Sequence, residues 1–304
     1  MYVDGKILIG KDGDKEFYIL PNMANRHGLI AGGTGSGKTI TLKVMAESFS
    51  NMGVPVFLAD VKGDLAGMCV EGENTDDMKK RIERFSLDKY GFKYQKFPTQ
   101  FFEISRKKGL PIRTTISNFG PTLLTHIFNL NQTQSDILNL IFKIADDEGL
   151  LLLDLKDLKK MIEYVGNNIK DFSSAYGNIT MPSINSILRS MISLEQEGIG
   201  LLFGEPELEL SDIIKTDSDG KGIISILHSA ALILSPKVYS AFMLWFLNDK
   251  LSTTTIHRTF KPKNKSIFYD ICINIINKNQ DKISNKEQCI NEITTLKKIN
   301  LSKT

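Results

Sequence analysis

The sequence predicts an α/β fold built on a parallel sheet covered by helices. Three observations carry this. A glycine-rich loop stands between a short apolar run and an amphipathic helical pattern. A second apolar run follows that helix and closes on an aspartate. A third apolar run appears only after a long helical stretch. A strand–loop–helix–strand unit returns its strands in the same direction, which requires a parallel sheet with helices on its faces.

The elements follow in order. Lys6-Ile7-Leu8-Ile9 and Glu16-Phe17-Tyr18-Ile19-Leu20 flank a turn containing Asp12-Gly13, so the chain opens as a β-hairpin. Leu29-Ile30-Ala31 is expected to be the first core strand. Leu42, Met45, Ala46 and Phe49 then recur at helical spacing and predict a helix over 39–49, ended at Gly53. Val54-Pro55-Val56-Phe57-Leu58-Ala59 reads as a buried strand closed by Asp60. Over 119–208 apolar stripes through Leu123, Ile127, Leu138, Ile141 and Phe142 predict helices, one of them capped by Ser135. The helices are expected to stop near Gly204-Glu205-Pro206. Ile223-Ile224-Ser225-Ile226-Leu227 predicts a further buried strand, and 236–251 a helix carrying the sole tryptophan, Trp245. The expected organisation is an N-terminal hairpin segment (1–25), a first core part (26–118), a helical insertion (119–208), a second core part (209–270) and a divergent tail (271–304).

Composition narrows the function classes. With 41% hydrophobic and 24% charged residues, the 304-residue chain is globular rather than disordered. Cys69, Cys272 and Cys289 form no C-x-x-C pair or Cys/His cluster, which argues against a disulfide framework or a zinc site. No apolar run approaches membrane-spanning length and the N-terminus has no signal-peptide pattern, so no membrane association and a cytoplasmic location are expected. The net charge of +3 is uneven: residues 263–304 hold eight Lys against two Asp and two Glu, whereas the preceding 262 residues carry 30 basic and 31 acidic groups. A nucleic-acid contact would therefore need a local patch, and no basic-aromatic cluster stands out as one.

The glycine-rich loop, Gly32-Gly33-Thr34-Gly35-Ser36-Gly37-Lys38-Thr39, matches G-x-x-x-x-G-K-[ST]. Ordinary residue usage produces this pattern by chance only about 0.01 times in a chain of this length. Glycines permit a compact loop whose amides, with the following helix N-terminus, hold a polyphosphate. Gly33, Thr34, Gly35, Ser36, Gly37, Lys38 and Thr39 are thus the expected nucleotide-binding residues, with Lys38 reaching the β- and γ-phosphates and Thr39 ligating Mg²⁺. The guanine-specifying N-K-x-D element is missing, because Asn264-Lys265-Ser266-Ile267 lacks the aspartate, and ATP is the favoured nucleotide.

Further blocks surround the loop: Ala24-Asn25-Arg26-His27-Gly28 before it, Asp60-Val61-Lys62-Gly63-Asp64-Leu65 after it, then Gly120-Pro121-Thr122-Leu123-Leu124, Ala145-Asp146-Asp147-Glu148-Gly149 with its four leucines, and Phe203-Gly204-Glu205-Pro206. Together they closely resemble the bacterial HerA-like P-loop ATPases, a branch of the HerA/FtsK motor superfamily, collinearly over 20–262. The resemblance implies a RecA-like core with a helical insertion, assembly into a homo-oligomeric (hexameric) ring, and ATP-driven action on DNA as a helicase or translocase. It assigns catalytic roles to Lys38, Asp60 and Asp64, with Asp60 and Asp64 at the acidic end of the second strand. For Asp60 a strand-end turn or helix cap is an equal alternative. Arg26 and His27 read as a locally packed pair at the start of the first strand, and His126 and His228 as core or interface residues.

The chain departs from the family pattern near its end. Asp270 falls where the Mg²⁺-ordering aspartate of the Walker B strand belongs, but Ile271 occupies the position of the catalytic glutamate. Isoleucine cannot orient or deprotonate the attacking water. Glu163, Glu205 and Asp64 are candidate substitutes. Of the 34 residues after Asp270 none is Arg, so the family's arginine finger has no counterpart there. The expectation is a truncation or reading-frame change near Asp270, an incomplete sheet and impaired hydrolysis. Two alternatives to a motor remain: a nucleotide-binding remnant or regulator without turnover, and a small-molecule phosphotransferase. The second needs lid arginines, and the helical insertion contains only Arg189.

Overall fold

The N-terminal strands wrap a pair of tight turns. A computed structural model describes residues 1–24, 28–104, 109–230 and 235–247. Strands β1 (Tyr2–Val3), β2 (Lys6–Asp12) and β3 (Lys15–Ile19) form an antiparallel sheet in that order. The first turn is Asp4-Gly5, with φ of 47° and 77°, between the paired residues Val3 and Lys6. Positive φ at both central residues matches the right-handed twist of the strands, which is why an Asp-Gly pair sits there. The expected hairpin is therefore present and is extended by a third strand.

Helix α1 (Lys38–Asn51) begins inside the glycine-rich loop. Strand β4 (Val56–Asp60) follows, then α2 (Asp76–Phe85), β5 (Thr99–Glu103) and β6 (Leu110–Pro111). Helices α3 (Ile116–Phe128), α4 (Gln132–Asp147), α5 (Leu155–Asn167), α6 (Ile169–Tyr176) and α7 (Met181–Gln196) make the helical stretch. The short α8 (Leu210–Ile213), β7 (Ile224–His228) and α9 (Pro236–Trp245) complete the described elements. Strands β4, β7, β5 and β6 form one parallel sheet in that spatial order.

Alternation along the strands separates the two faces of this sheet. Phe57, Phe102 and Leu227 join the main core with α3, α4, α5, α7 and α9, and the Phe57 and Phe246 rings lie 4.2 Å apart between centroids. Val56, Leu58, Ile224 and Ile226 alternate with them and belong to the opposite face, where α1 contacts β4 and buries Leu42, Ala46 and Phe49.

Several local expectations need correcting. Leu29-Ile30-Ala31 is not a strand: it has no ladder partner among the described residues, and Leu29 is 83% exposed. A three-residue apolar run between Gly28 and Gly32 becomes a strand only through a neighbour. Helix α4 is capped by Asn131, which exchanges side-chain and backbone bonds with Gln134, whereas Ser135 lies inside the helix and donates to the Asn131 carbonyl at 2.7 Å. The cap came four residues earlier than the polar run suggests because Asn131 satisfies two donors at once with Gln134. His126 is exposed on α3, which removes the core half of its core-or-interface expectation. Helix α9 falls within the expected 236–251, and the part of that expectation past 247 lies outside the described residues.

Candidate functional site

The loop from Gly32 to Thr39 folds around its own carbonyls. Gly35 and Gly37 adopt φ of 80° and 91°, a region costly for any residue with a Cβ. Ser36 donates to the Gly33 carbonyl from both its amide (3.3 Å) and its hydroxyl (2.8 Å). The Lys38 ammonium donates to the carbonyls of Gly32 at 2.9 Å and Gly33 at 2.6 Å. An ammonium has three donors. Two are spent on the loop, so the loop itself fixes the position of the charge and leaves one donor for a ligand.

Gly37 is the N-cap of α1, and no side chain caps that helix end. The N–H groups of a first helical turn lack intrahelical acceptors and carry the positive end of the helix dipole. A Cβ built at Gly33, Gly35 or Gly37 meets nothing within 4 Å, so the space beside the loop is open. At Gly32, by contrast, a Cβ would lie 2.4 Å from Ser36 Oγ. A polyphosphate fits this cradle: open space, uncapped amides and a fixed ammonium. Thr39 follows Lys38 in the first turn of α1 and brings a hydroxyl of the kind that ligates Mg²⁺.

The far end of α1 is tied to the sheet. Val54 N–H donates to the Phe49 carbonyl at 2.9 Å, Gly222 N–H to the Ser50 carbonyl at 2.8 Å, and Ser50 Oγ to the Gly222 carbonyl at 2.6 Å. These bonds tie the C-terminal end of α1 to the amino ends of β4 and β7. A 14-residue helix is about 21 Å long and a five-residue strand about 16 Å. In open parallel sheets ligands bind at the carboxyl ends of the strands.

Three polar residues stand at those ends. Asp60 pairs in register with His228, and Glu103 comes one step after the Phe102–Leu227 pair. Counting by two from Leu58, Ile226 and Phe101 places Asp60, His228 and Glu103 on the α1 face of the sheet. Asp60 is 3% exposed; its Oδ1 accepts from the amides of Lys62 (3.1 Å) and Gly63 (2.8 Å) and its Oδ2 from Leu65 (3.0 Å). That carboxylate closes the turn after β4, and Asp64 is exposed within the turn. Neither His228 nor Glu103 stood out by sequence as part of a site. For Glu103 the signal was available: Thr99-Gln100-Phe101-Phe102-Glu103 ends a β-rich run on an acid, just as Val56 to Asp60 does.

The other candidates are dispersed. Glu163 is exposed on α5. Glu205 is exposed, and its carbonyl accepts from Arg113 Nη1 at 2.6 Å. Arg26, His27, Asp270 and Ile271 lie outside the described residues. Among the described residues, no helix is long and apolar enough to cross a membrane.

No curated protein matches the chain. A solved structure, VirB4 of Thermoanaerobacter pseudethanolicus, aligns over 84% of this chain at 14% identity with a TM-score of 0.48, and this chain spans 65% of that chain. The family described as "Helicase HerA-like C-terminal" matches residues 6–293. That match begins before and ends after the 20–262 stretch carried by the motifs, so it takes in most of the Lys/Asn/Ile-rich segment as well. With a nucleotide loop of the right form and a family match over nearly its whole length, the chain belongs to the HerA-like C-terminal helicase family, a family of P-loop ATPases.

Proposed function

We propose that the chain binds Mg·ATP at the 32–39 loop and uses it as a DNA-directed motor ATPase of the helicase or translocase type. The observation that carries this reading is the Lys38 ammonium, held by the Gly32 and Gly33 carbonyls beside an uncapped helix N-terminus. Lys38 meets the β- and γ-phosphates with its remaining donor. The amides of Gly33, Thr34, Gly35 and Gly37 line the phosphate chain, while the Ser36 amide and hydroxyl hold the Gly33 carbonyl. Thr39 orders the metal from the protein side, with Asp270 as its partner. Mg²⁺, when bound with the triphosphate, offsets the charge that builds on the transferring phosphoryl group.

Asp60 acts through the turn it closes: three backbone amides converge on it, so its carboxylate is a positioning group for the turn that carries Asp64. Assembly as a homo-oligomeric ring and a cytoplasmic location belong to the same reading and rest on the family. The test is ATP turnover by the purified chain with and without DNA. DNA-stimulated hydrolysis that Lys38→Ala abolishes supports the motor; DNA-independent hydrolysis contradicts it.

One observation favours a second reading. Ile271 stands where the family places its water-orienting glutamate, which points to a chain that binds ATP without turning it over. Tight nucleotide binding with no turnover, unchanged by DNA, selects this reading over the motor.

A further inference from the structure

Within the segment between the Asp60 turn and β5, residues 79–97 concentrate positive charge, as residues 263–304 do near the other end of the sequence. Residues 79–97 hold seven basic groups (Lys79, Lys80, Arg81, Arg84, Lys89, Lys93, Lys96) against two acids (Glu83, Asp88), a net +5. The whole chain carries only +3 over 304 residues, so the remaining 285 residues sum to −2. All seven basic residues are exposed. Asp76 and Asp77 in the first turn of α2 and the carboxylates of Glu83 and Asp88 are the acids beside them, and Lys79 already pairs with Asp76 at 2.9 Å. The other six basic residues make no ion pair with a described residue.

Aromatic rings alternate with this charge. Phe85, Tyr90, Phe92 and Tyr94 are half-buried, with part of each left at the surface. The guanidinium carbons of Arg81 and Arg84 lie 5.6 and 5.1 Å from the centroid of the Phe85 ring, and the Phe92 and Tyr94 rings meet edge-to-face at 5.2 Å. The surface is braced rather than loose. Met78, Ile82 and Phe85 turn one side of α2 inward, and Tyr90 donates to Glu16 on the N-terminal sheet while Lys11 sits 5.7 Å over its ring. By sequence no basic-aromatic cluster stands out as a nucleic-acid surface, because the acidic groups on either side, Glu71 to Asp77 and those of the helical stretch, cancel the charge in any long-range count.

We infer that the exposed face of residues 79–97 is a binding surface for single-stranded nucleic acid. Cationic side chains track the phosphates, and interleaved rings offer stacking platforms that every base can use, a combination that fits a flexible strand with splayed bases better than a closed duplex. A membrane surface would attract the same charge but gives half-buried rings no partner of matching shape. The inference shares with the proposed function its partner class, and it holds whether or not the 32–39 loop turns over ATP.

The test is fluorescence anisotropy of a labelled oligo-dT with the full chain at several salt concentrations, without nucleotide. The variant Lys80→Gln/Arg81→Gln/Arg84→Gln keeps good helix formers on α2. It should bind at least tenfold more weakly, with a salt slope reduced by about 2, since each lost phosphate contact removes about 0.7 from the slope on single strands. Phe92→Leu should weaken binding several-fold and leave the salt slope in place, because stacking releases no counterions. Lys156→Gln/Lys159→Gln/Lys160→Gln changes the same charge on exposed positions of α5 and should bind as the parent does. Lys38→Ala should also bind as the parent does, so a failed nucleotide site leaves this result standing. Equal loss in the α5 variant, parental affinity in the α2 variant, or binding to phosphatidylglycerol vesicles but not to oligo-dT would each overturn the inference.

Discussion

Ser50 Oγ donates to the carbonyl of Gly222 at 2.6 Å, joining residues 172 positions apart in the sequence. The bond is buried and pairs with the Gly222 amide, which returns a bond to the Ser50 carbonyl at 2.8 Å. It fastens the end of α1 to the start of β7. Ser50→Ala leaves the Gly222 carbonyl without this donor and should destabilise the chain by about 1–3 kcal/mol in urea unfolding. Nucleotide affinity of the folded variant should change much less than its stability.

Gly32 and Ser36 are coupled by space. A methyl at position 32 would approach Ser36 Oγ to 2.4 Å and force that hydroxyl off the Gly33 carbonyl. Gly32→Ala should therefore lower ATP affinity several-fold. Adding Ser36→Ala removes the clashing oxygen and should recover part of the loss, a non-additive pair measurable in a double-mutant cycle.

Asp60 holds three amides. Asp60→Ala strips acceptors from Lys62, Gly63 and Leu65 together, and the last of these bonds is buried. A loss of about 1–3 kcal/mol of stability is expected. Faster amide hydrogen exchange confined to 62–65 would mark the turn as the part released.

Asp147 gives a pH prediction. Lys143 and the Tyr176 hydroxyl, the latter at 3.0 Å, both donate to its carboxylate and hold it below the usual carboxylate range. The unfolded chain then takes up the proton first as pH falls. The stabilisation is fully present above the unfolded value of about 3.9 and is lost as pH drops through the lower folded value. Asp147→Asn should be less stable than the parent at pH 6, and the gap should close toward pH 3; urea midpoints across that range check it.

The sequence was most legible where a pattern is local. The loop, α1, β4 and β7 follow from glycine spacing, helical periodicity and apolar runs ended by turns. It was least legible where partners are distant. Leu29-Ile30-Ala31 looks like a strand, yet a strand exists only with a neighbour to bond. Strand β5 passed unread because Thr99 to Glu103 mixes polar and aromatic residues; only its ladder to β7 reveals it. The row of Asp60, His228 and Glu103 is a product of register between strands more than 40 residues apart, which no spacing within one segment can display.

The central claim is that the 32–39 loop grips the phosphates of ATP through Lys38. Calorimetric titration of Mg·ATP into the parent and into Lys38→Ala tests it most directly. The account predicts saturable binding by the parent and at least a tenfold weaker affinity for the variant, with unchanged urea midpoints. Equal affinity in the two proteins, or no binding by a folded parent, would contradict it.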